Sequence, residues 1–205
     1  MSFFPAVQSL LSDLKTNSDN IATNRLSLLS GLKDRLKAEI ASERLVNLAF
    51  ICTHNSRRSH ISQLLAHLLV HHFKIANIAC YSAGTEATAF NERAVEAFKF
   101  YGFEVTVSKP GENPLYEVSF GEDIPTAVAF SKTVQDDSIP KENLFAVMTC
   151  SHAEENCPFI PGTAYRVALP FEDPKAYDDT PKEKQAYRDK IIEIGAELYW
   201  LFNRL

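Results

Sequence analysis

A cysteine, an arginine and a serine lie in one short polar run of this chain, at a spacing that suits oxyanion chemistry. Cys52 follows the apolar stretch 45–51, and Arg58 and Ser59 open a segment with helical periodicity. A loop that runs from a buried strand into a helix directs several backbone N–H groups, and the positive end of the helix dipole, toward one point. Such a site binds a tetrahedral oxyanion and favours the thiolate form of the cysteine.

The five residues between Cys52 and Arg58 are enough to form a loop around an anion. They are Thr53, His54, Asn55, Ser56 and Arg57. We expect this loop and Arg58 to bind the oxyanion, because a guanidinium grips two oxygens in a planar fork. Ser59 is expected to hydrogen-bond the Cys52 sulfur. A cysteine at a strand end is more often a small buried apolar residue, but the strand before, the helix after and the adjacent serine together favour a nucleophile.

Composition limits the class of protein. The chain has 205 residues, is 45% hydrophobic and has a net charge of −5, which suits one α/β core with an appendage and argues against general nucleic-acid binding. We expect no secretory signal and no membrane span, because the first residues contain neither a basic lead nor a long apolar run. Four cysteines are too few for a disulfide scaffold and are not spaced as zinc ligands. We therefore expect a cytoplasmic protein that keeps its thiols for chemistry.

Apolar stretches alternate with helical periodicity along the chain, which is typical of a parallel sheet covered by helices on both faces. We predict strands at 45–51, 75–82, 104–109 and 144–148, and helices at 58–73, 91–101 and about 181–202. Anion sites in such sheets lie at the carboxyl ends of strands, where Cys52 is.

Residues 1–44 form a predicted N-terminal helical extension to a main domain that spans 45–205. A helix at 24–42 is indicated by apolar residues at helical spacing, namely Leu29, Leu32, Leu36 and Ile40. We expect this stripe to pack on the main domain; a homodimer through the same stripe is the alternative.

Residues 110–143 are longer than a simple connection between two elements. The stretches 115–120 and 126–132, on either side of Gly121-Glu122-Asp123, predict a hairpin within this insertion. The insertion either shapes the rim of the site, binds a partner, or is a surface excursion without a role.

Four motifs resemble one known family. The run 50–59 and the sequence Tyr81-Ser82-Ala83-Gly84 resemble the low-molecular-weight protein tyrosine phosphatase superfamily. The run 147–158 and the sequence Phe171-Glu172-Asp173-Pro174 are most similar to its thioredoxin-coupled arsenate reductase branch. The resemblance covers about residues 45–202 in order. It implies an α/β fold with a parallel four-stranded sheet flanked by helices, to which this chain adds the N-terminal helical extension and the inserted hairpin.

Two residues of the loop depart from the family pattern. His54 stands where relatives have Gly, a position at which a missing side chain eases unusual backbone angles and close approach to the anion. We expect His54 to narrow the pocket or alter what it accepts. Arg57 replaces a small residue or Cys; it adds a cation beside the anion if it points inward, and is otherwise a solvated side chain.

A second pair of cysteines, Cys150 and Cys157, follows the predicted strand 144–148 in a segment polar enough to lie at the surface. If this segment is helical, the two Cα atoms are ~10 Å apart, beyond the roughly 7 Å limit for a disulfide. They can join only if the segment unwinds, which suits a redox relay that carries a disulfide to the surface. Two unrelated thiols are the alternative. Cys80, inside a strand, is expected to be a core residue.

The resemblance implies a mechanism without a metal or an organic cofactor. Cys52 attacks arsenate, Asp173 acts as general acid, Cys150 and Cys157 complete a disulfide relay, and a thioredoxin-like protein is the reductant. Asp-Pro is also an ordinary turn signal, so Asp173 has a structural alternative. Two other functions stay open: a phosphatase that hydrolyses phosphomonoesters through a cysteinyl-phosphate, and a non-catalytic anion-binding or redox-sensing regulator.

Overall fold

The computed structural model describes residues 2–156, 159, 160 and 162–205. The helices are α1 (Pro5–Ser18), α2 (Thr23–Ala41), α3 (Arg58–His72), α4 (Glu92–Phe100), α5 (Ser151–Asn156) and α6 (Glu183–Phe202), with a 3-10 helix at Pro174–Tyr177. The strands are β1 (Ser2–Phe3), β2 (Val46–Cys52), β3 (Ile78–Gly84), β4 (Glu104–Lys109), β5 (Leu115–Ser119), β6 (Gly121–Glu122), β7 (Ala127–Ala129), β8 (Leu144–Met148) and β9 (Thr163–Ala168).

A parallel sheet of four strands, in the order β3-β2-β8-β9, forms the centre of the fold. The two middle strands, β2 and β8, are buried along their whole length. Their nearly continuous apolar sequences are typical of strands covered on both faces. The predicted fold class, a parallel four-stranded sheet flanked by helices, is confirmed.

The prediction that 104–109 continues the parallel series is wrong. This strand, β4, pairs antiparallel with β5, and β5 pairs antiparallel with β7, in a separate three-stranded sheet. Five of its six residues are exposed, and it lies at the edge of this sheet. The fourth parallel strand is instead β9, which the sequence did not predict and which pairs with β8.

The helices α3 and α6 cover the sheet with the faces that the sequence predicted. The apolar side of α3 is buried at Ile61, Leu64, Leu65, Leu68 and Leu69. The stripe of α6 is likewise buried at Tyr187, Ile191, Ile194, Leu198 and Leu201. Because α3 is fixed on the sheet, its first turn holds Arg58 and Ser59 at the end of β2.

The N-terminal extension packs on the main domain. Leu14 of α1 lies against Gly195 of α6, where a Cβ atom would meet the Leu14 side chain at 2.5 Å. In α2, the stripe residues Leu29, Leu32 and Leu36 are buried in the same hydrophobic cluster as the core of the main domain. The stripe is covered by the chain itself, so it offers no surface for the homodimer considered from the sequence.

The insertion contains the predicted antiparallel pair, β5 with β7, and between them β6, which pairs with β1. The chain then continues to Ser131 and Lys132, which reach the loop after Cys52. Within the described residues, none of the helices has the length and hydrophobicity to cross a membrane.

Candidate active site

Cys52 is the last residue of β2 and is buried, with 4% of its surface exposed. Its Sγ lies 3.1 Å from Oγ of Ser59 in the first turn of α3. The expected contact between Ser59 and the cysteine sulfur is therefore present. A hydroxyl at this distance stabilises a thiolate by donating its hydrogen.

The loop of residues 53–57 turns its carbonyl groups away from its own centre. The Thr53 carbonyl accepts from Glu86 N at 2.8 Å, the His54 carbonyl from Ser131 Oγ at 3.0 Å, and the Ser56 carbonyl from Asn91 N at 2.9 Å. Within the described part of the chain, no backbone amide of residues 53–58 donates a hydrogen bond. A concave run of such amides at a helix N-terminus is the arrangement that binds tetrahedral oxyanions.

Asn55 holds the loop in shape from the inside. It is fully buried and has a positive φ of 43°. Its Oδ1 accepts from Lys132 N at 2.9 Å, so its Nδ2 must be the group that donates to Ser59 Oγ at 2.8 Å. Because Ser59 accepts this bond, its hydrogen is left for Cys52. The sequence assigns Asn55 to oxyanion binding and gives no signal for its role in orienting Ser59.

Gly84 lets the end of β3 approach the loop closely. A Cβ atom at this position would lie 2.7 Å from Asn55 N, 2.7 Å from Thr53 O and 2.3 Å from Glu86 O. All three are backbone atoms, which cannot move without changing the loop. The glycine of the sequence Tyr81-Ser82-Ala83-Gly84 is therefore required by the site.

Arg58 and Asp173 meet across the site. Arg58 Nη2 donates to Asp173 Oδ2 at 2.8 Å, and Nη1 donates to the Phe171 carbonyl at 3.0 Å. Arg58 Nε is buried and has no partner among the described residues. Asp173 Oδ1 accepts from Lys175 N at 3.1 Å and caps the 3-10 helix. Asp173 thus both starts a turn and lies at the site.

His54 and Arg57 are the two loop residues that depart from the family pattern. Their backbone conformation and exposure differ from what the sequence indicated. The positive φ of the loop falls on Asn55 and not on His54. The His54 side chain is 51% exposed, with Nε2 3.5 Å from Glu86 Oε2. Arg57 is not a solvated side chain, since only 13% of it is exposed; its Nε donates to Tyr187 Oη at 3.1 Å.

Cys150 lies beside the loop. It follows β8, the neighbour of β2, and is itself buried. The segment after it is exposed at Ser151, His152 and Glu155, as the sequence predicts. Its Sγ lies 3.5 Å from Thr53 Oγ1 and 3.4 Å from Ala153 N. Thr53 Oγ1 is also 3.2 Å from Nδ1 of His152, an exposed residue of α5 that sequence reasoning did not single out. Cys52 and Cys150 belong to one buried cluster.

The other two cysteines of the chain are Cys157 and Cys80. Cys157 lies outside the described residues. Cys80 is half-buried in β3, and desolvation raises the pKa of its thiol to about 12, which makes it a poor nucleophile. Cys52, Cys80 and Cys150 are all free thiols. Across the described ranges, no group of three or more His, Cys, Asp or Glu side chains is arranged to hold a metal ion.

Known proteins support the resemblance in both sequence and structure. The chain is 29% identical over 151 residues to the arsenate reductase of Halalkalibacterium halodurans, covering 73% of this chain and 89% of that protein. It is 28% identical over 151 residues to the arsenate reductase of Bacillus subtilis, with the same coverage. The low-molecular-weight protein tyrosine phosphatase of T. tengcongensis superposes with a TM-score of 0.54 at 16% identity, covering 78% of this chain and 99% of that one.

The resemblance to the low-molecular-weight phosphatase-like superfamily is confirmed. No protein-family profile matches the chain. A second phosphatase of the superfamily, from Vibrio cholerae O395, has the same TM-score of 0.54 at 15% identity and covers 77% of this chain. Both sets of relatives are enzymes, in agreement with the expectation of an enzyme.

Proposed function

We propose that this chain is a thiol-dependent arsenate reductase that uses Cys52, Cys150 and Cys157 in turn. The observation that carries this proposal is the position of Cys150. Its Sγ lies 3.5 Å from Oγ1 of Thr53, the first residue of the loop that follows Cys52. Hydrolysis of a phosphoester needs one thiol at the loop, whereas reduction of arsenate needs a second. The arsenate reductases of H. halodurans and B. subtilis, at 29% and 28% identity, support the same substrate.

In the first step, the Cys52 thiolate attacks arsenate that is held by the amides of residues 53–58 and by the Arg58 fork. A sulfur–arsenic bond forms and an arsenic–oxygen bond breaks. Asp173 gives its proton to the departing oxygen, which leaves as water. Ser59, which is oriented by Asn55, stabilises the thiolate before attack.

In the second step, the Cys150 thiolate attacks the Cys52 sulfur of the adduct. A Cys52–Cys150 disulfide forms, the sulfur–arsenic pair of electrons passes to arsenic, and As(V) is released as As(III) arsenite. Cys157 then attacks the Cys150 sulfur, which frees Cys52 and leaves a Cys150–Cys157 disulfide. A thioredoxin-like dithiol supplies the two electrons that reduce it. This cycle requires a reducing compartment such as the cytoplasm.

A phosphatase is the second candidate. The fold favours it, since the phosphatases of T. tengcongensis and V. cholerae superpose on this chain. Cys52, Arg58 and Asp173 are sufficient for a cysteinyl-phosphate that water then hydrolyses. This reaction makes no use of Cys150 or Cys157.

Two assays on the same preparations distinguish the candidates. One follows arsenate reduction with thioredoxin, thioredoxin reductase and NADPH, and the other follows hydrolysis of p-nitrophenyl phosphate. We expect Cys52→Ser to abolish both activities and Cys150→Ser to abolish arsenate cycling, by ~10³-fold or more, while any hydrolysis is kept. Cys80→Ser is the matched control and should change neither.

Normal arsenate cycling by the Cys150→Ser enzyme would show that the reaction does not use a relay through Cys150. Hydrolysis without arsenate reduction by the wild type would establish the phosphatase instead. A wild type with neither activity, but with measurable phosphate binding, would establish the regulator.

A further inference from the structure

The Arg57 side chain joins the loop to the segment that carries Asp173, which we call the acid segment, residues 171–178. Its Nε donates to Tyr187 Oη of α6 at 3.1 Å. Its Nη1 is 3.7 Å from Asp173 Oδ2, and its Nη2 is 4.0 Å from Asp178 Oδ2. One guanidinium on the loop therefore contacts α6 and two carboxylates at different points of the acid segment.

Tyr187 completes the connection. It is 1% exposed, and its Oη donates to Asp178 Oδ1 at 2.8 Å. Burial, and then the hydrogen bond to Asp178, raises the pKa of the Tyr187 hydroxyl, so it keeps its proton and can donate to Asp178 while it accepts from Arg57. We call the three residues Arg57, Tyr187 and Asp178 the Arg57 clamp.

The clamp matters because, among the described residues, the other side chain that pairs with the Asp173 carboxylate is Arg58. Arg58 holds Asp173 and the Phe171 carbonyl, and the same guanidinium is the group that grips the oxyanion. An anion bound by the same Nη atoms would compete with the hydrogen bonds that Arg58 makes to the acid segment. The 3-10 helix of this segment has only four residues, Pro174–Tyr177, so it has few hydrogen bonds of its own to keep its position.

We propose that Arg57 is a positioning residue: its clamp holds the acid segment over the loop while Arg58 is engaged with the oxyanion, so that Asp173 reaches the departing oxygen. This inference rests on the proposed function for the role of Asp173. It assigns a task to the side chain that replaces the small residue of the relatives. The clamp acts on the step in which an oxygen leaves, and not on the affinity for the anion.

The first test does not depend on activity. Hydrogen exchange of the amides of residues 175–179 is measured by mass spectrometry in phosphate-saturated wild type, Arg57→Gln, Arg57→Lys and Tyr187→Phe. We expect exchange to be ~10-fold faster in all three variants, because Lys cannot reach three partners and Phe keeps the buried ring but loses the hydroxyl. Arg188→Gln, on the same helix but stacked on Phe100, is the control and should match the wild type.

The second test uses leaving groups that differ in their need for a proton. With phenyl phosphate, we expect Arg57→Gln and Tyr187→Phe to lower kcat ~10-fold or more, with affinity for inorganic phosphate within ~3-fold of wild type. With 2,4-dinitrophenyl phosphate, which leaves unprotonated, the loss should be under ~3-fold. Adding Arg57→Gln to Asp173→Asn should cause no further loss, because the clamp acts only through Asp173.

Unchanged hydrogen exchange in the acid segment would overturn the clamp. Equal losses of kcat on the two esters, or additive losses of kcat in the double variant, would overturn it as well. A wild type that neither hydrolyses these esters nor reduces arsenate would overturn the proposed function and with it the assigned step. The exchange experiment would still report whether Arg57 holds the segment, so the two failures are distinguishable.

Discussion

At the scale of single residues, the loop depends on Asn55 more than on the position where relatives have glycine. Asn55 carries the positive φ, accepts from Lys132 N and orients Ser59 toward Cys52. The His54 side chain is half-exposed. The insertion contacts His54 through its backbone carbonyl, which accepts a hydrogen bond from Ser131 Oγ. The departure from the family pattern therefore lies on the outside of the loop.

We expect Asn55→Ala to lower kcat by ~10-fold or more. Alanine at this positive φ costs roughly 1–2 kcal/mol, and the donor that orients the Ser59 hydroxyl is lost. His54→Gly is the comparison, and should keep kcat and phosphate affinity within ~3-fold of wild type. Steady-state kinetics and a phosphate titration measure both. A large gain of affinity in His54→Gly would show that the imidazole obstructs the anion after all.

The motif residues were predictable because each is fixed by its neighbours in sequence. Cys52 ends a buried strand, Arg58 starts a helix, and Ser59 follows it, so the contact between Cys52 and Ser59 could be expected. The direction of Arg57 could not, since its partner Tyr187 is 130 positions away. The same holds for Lys132, which reaches Asn55 from the insertion.

At the scale of elements, the error in the sheet came from treating every apolar run as a buried parallel strand. In β4, valines alternate with polar residues, as in a strand with one solvent face, and this period-2 pattern favoured the antiparallel sheet that is present. In contrast, β2 and β8 are apolar along their length. The missed strand β9 contains Arg166 and is only partly buried, as expected for the edge of a sheet.

The helix α5 separates the two cysteines of the proposed relay. It spans Ser151–Asn156, which are all the residues between Cys150 and Cys157 in the sequence. A helix rises 1.5 Å per residue, so these six residues extend ~9 Å, which is more than the roughly 7 Å between the two Cα atoms of a disulfide. We therefore expect arsenate turnover to unwind α5, with ~10-fold or faster hydrogen exchange at residues 151–156 in the oxidised protein. Mass spectrometry identifies the disulfide in the same sample.

Cys157→Ser is the control for this experiment. This variant should accumulate the Cys52–Cys150 disulfide. Hydrogen exchange of its α5 amides should be slower than in the fully oxidised wild type. If the oxidised wild type contains a Cys150–Cys157 bond without faster exchange, the helix does not need to unwind.

At the scale of the whole molecule, the N-terminal extension and the main domain share one core. Arg25 of α2 forms two hydrogen bonds of 2.7 Å with Glu197 of α6, and its Nη1 donates to the Pro170 carbonyl at 2.8 Å. The Arg25 guanidinium also lies 4.7 Å from the Phe171 ring centroid. The extension therefore contacts the chain directly before Asp173. Composition and periodicity predicted the helices of the extension, but not this contact, which joins residues 145 positions apart.

The stability of the whole molecule should depend on pH through His60, the residue after Ser59. His60 is fully buried, stacks on Phe90 at 4.3 Å between ring centroids, and has Nε2 3.2 Å from the Phe130 carbonyl. Desolvation, with a smaller effect from the charge of Lys132, lowers the pKa of His60 from 6.5 to about 3. Between these two values the unfolded chain binds a proton that the folded chain does not. The contribution of the neutral His60 side chain to the free energy of unfolding is therefore fully present above pH 6.5. It is lost as the pH falls toward 3.

We expect this one group to lower the free energy of unfolding by about 2 kcal/mol between pH 7 and pH 5. Urea unfolding at pH 5, 7 and 8 measures the effect in wild type and in His60→Gln, a variant that can still donate to the Phe130 carbonyl but cannot take up a proton. The variant should be less stable at pH 7, because it loses the stacked ring, yet lose about 2 kcal/mol less than wild type on going to pH 5. Between pH 7 and 8 the two proteins should change by nearly the same amount, since the imidazole is neutral in both states there. Equal losses at pH 5 would show that His60 takes up a proton in the folded state.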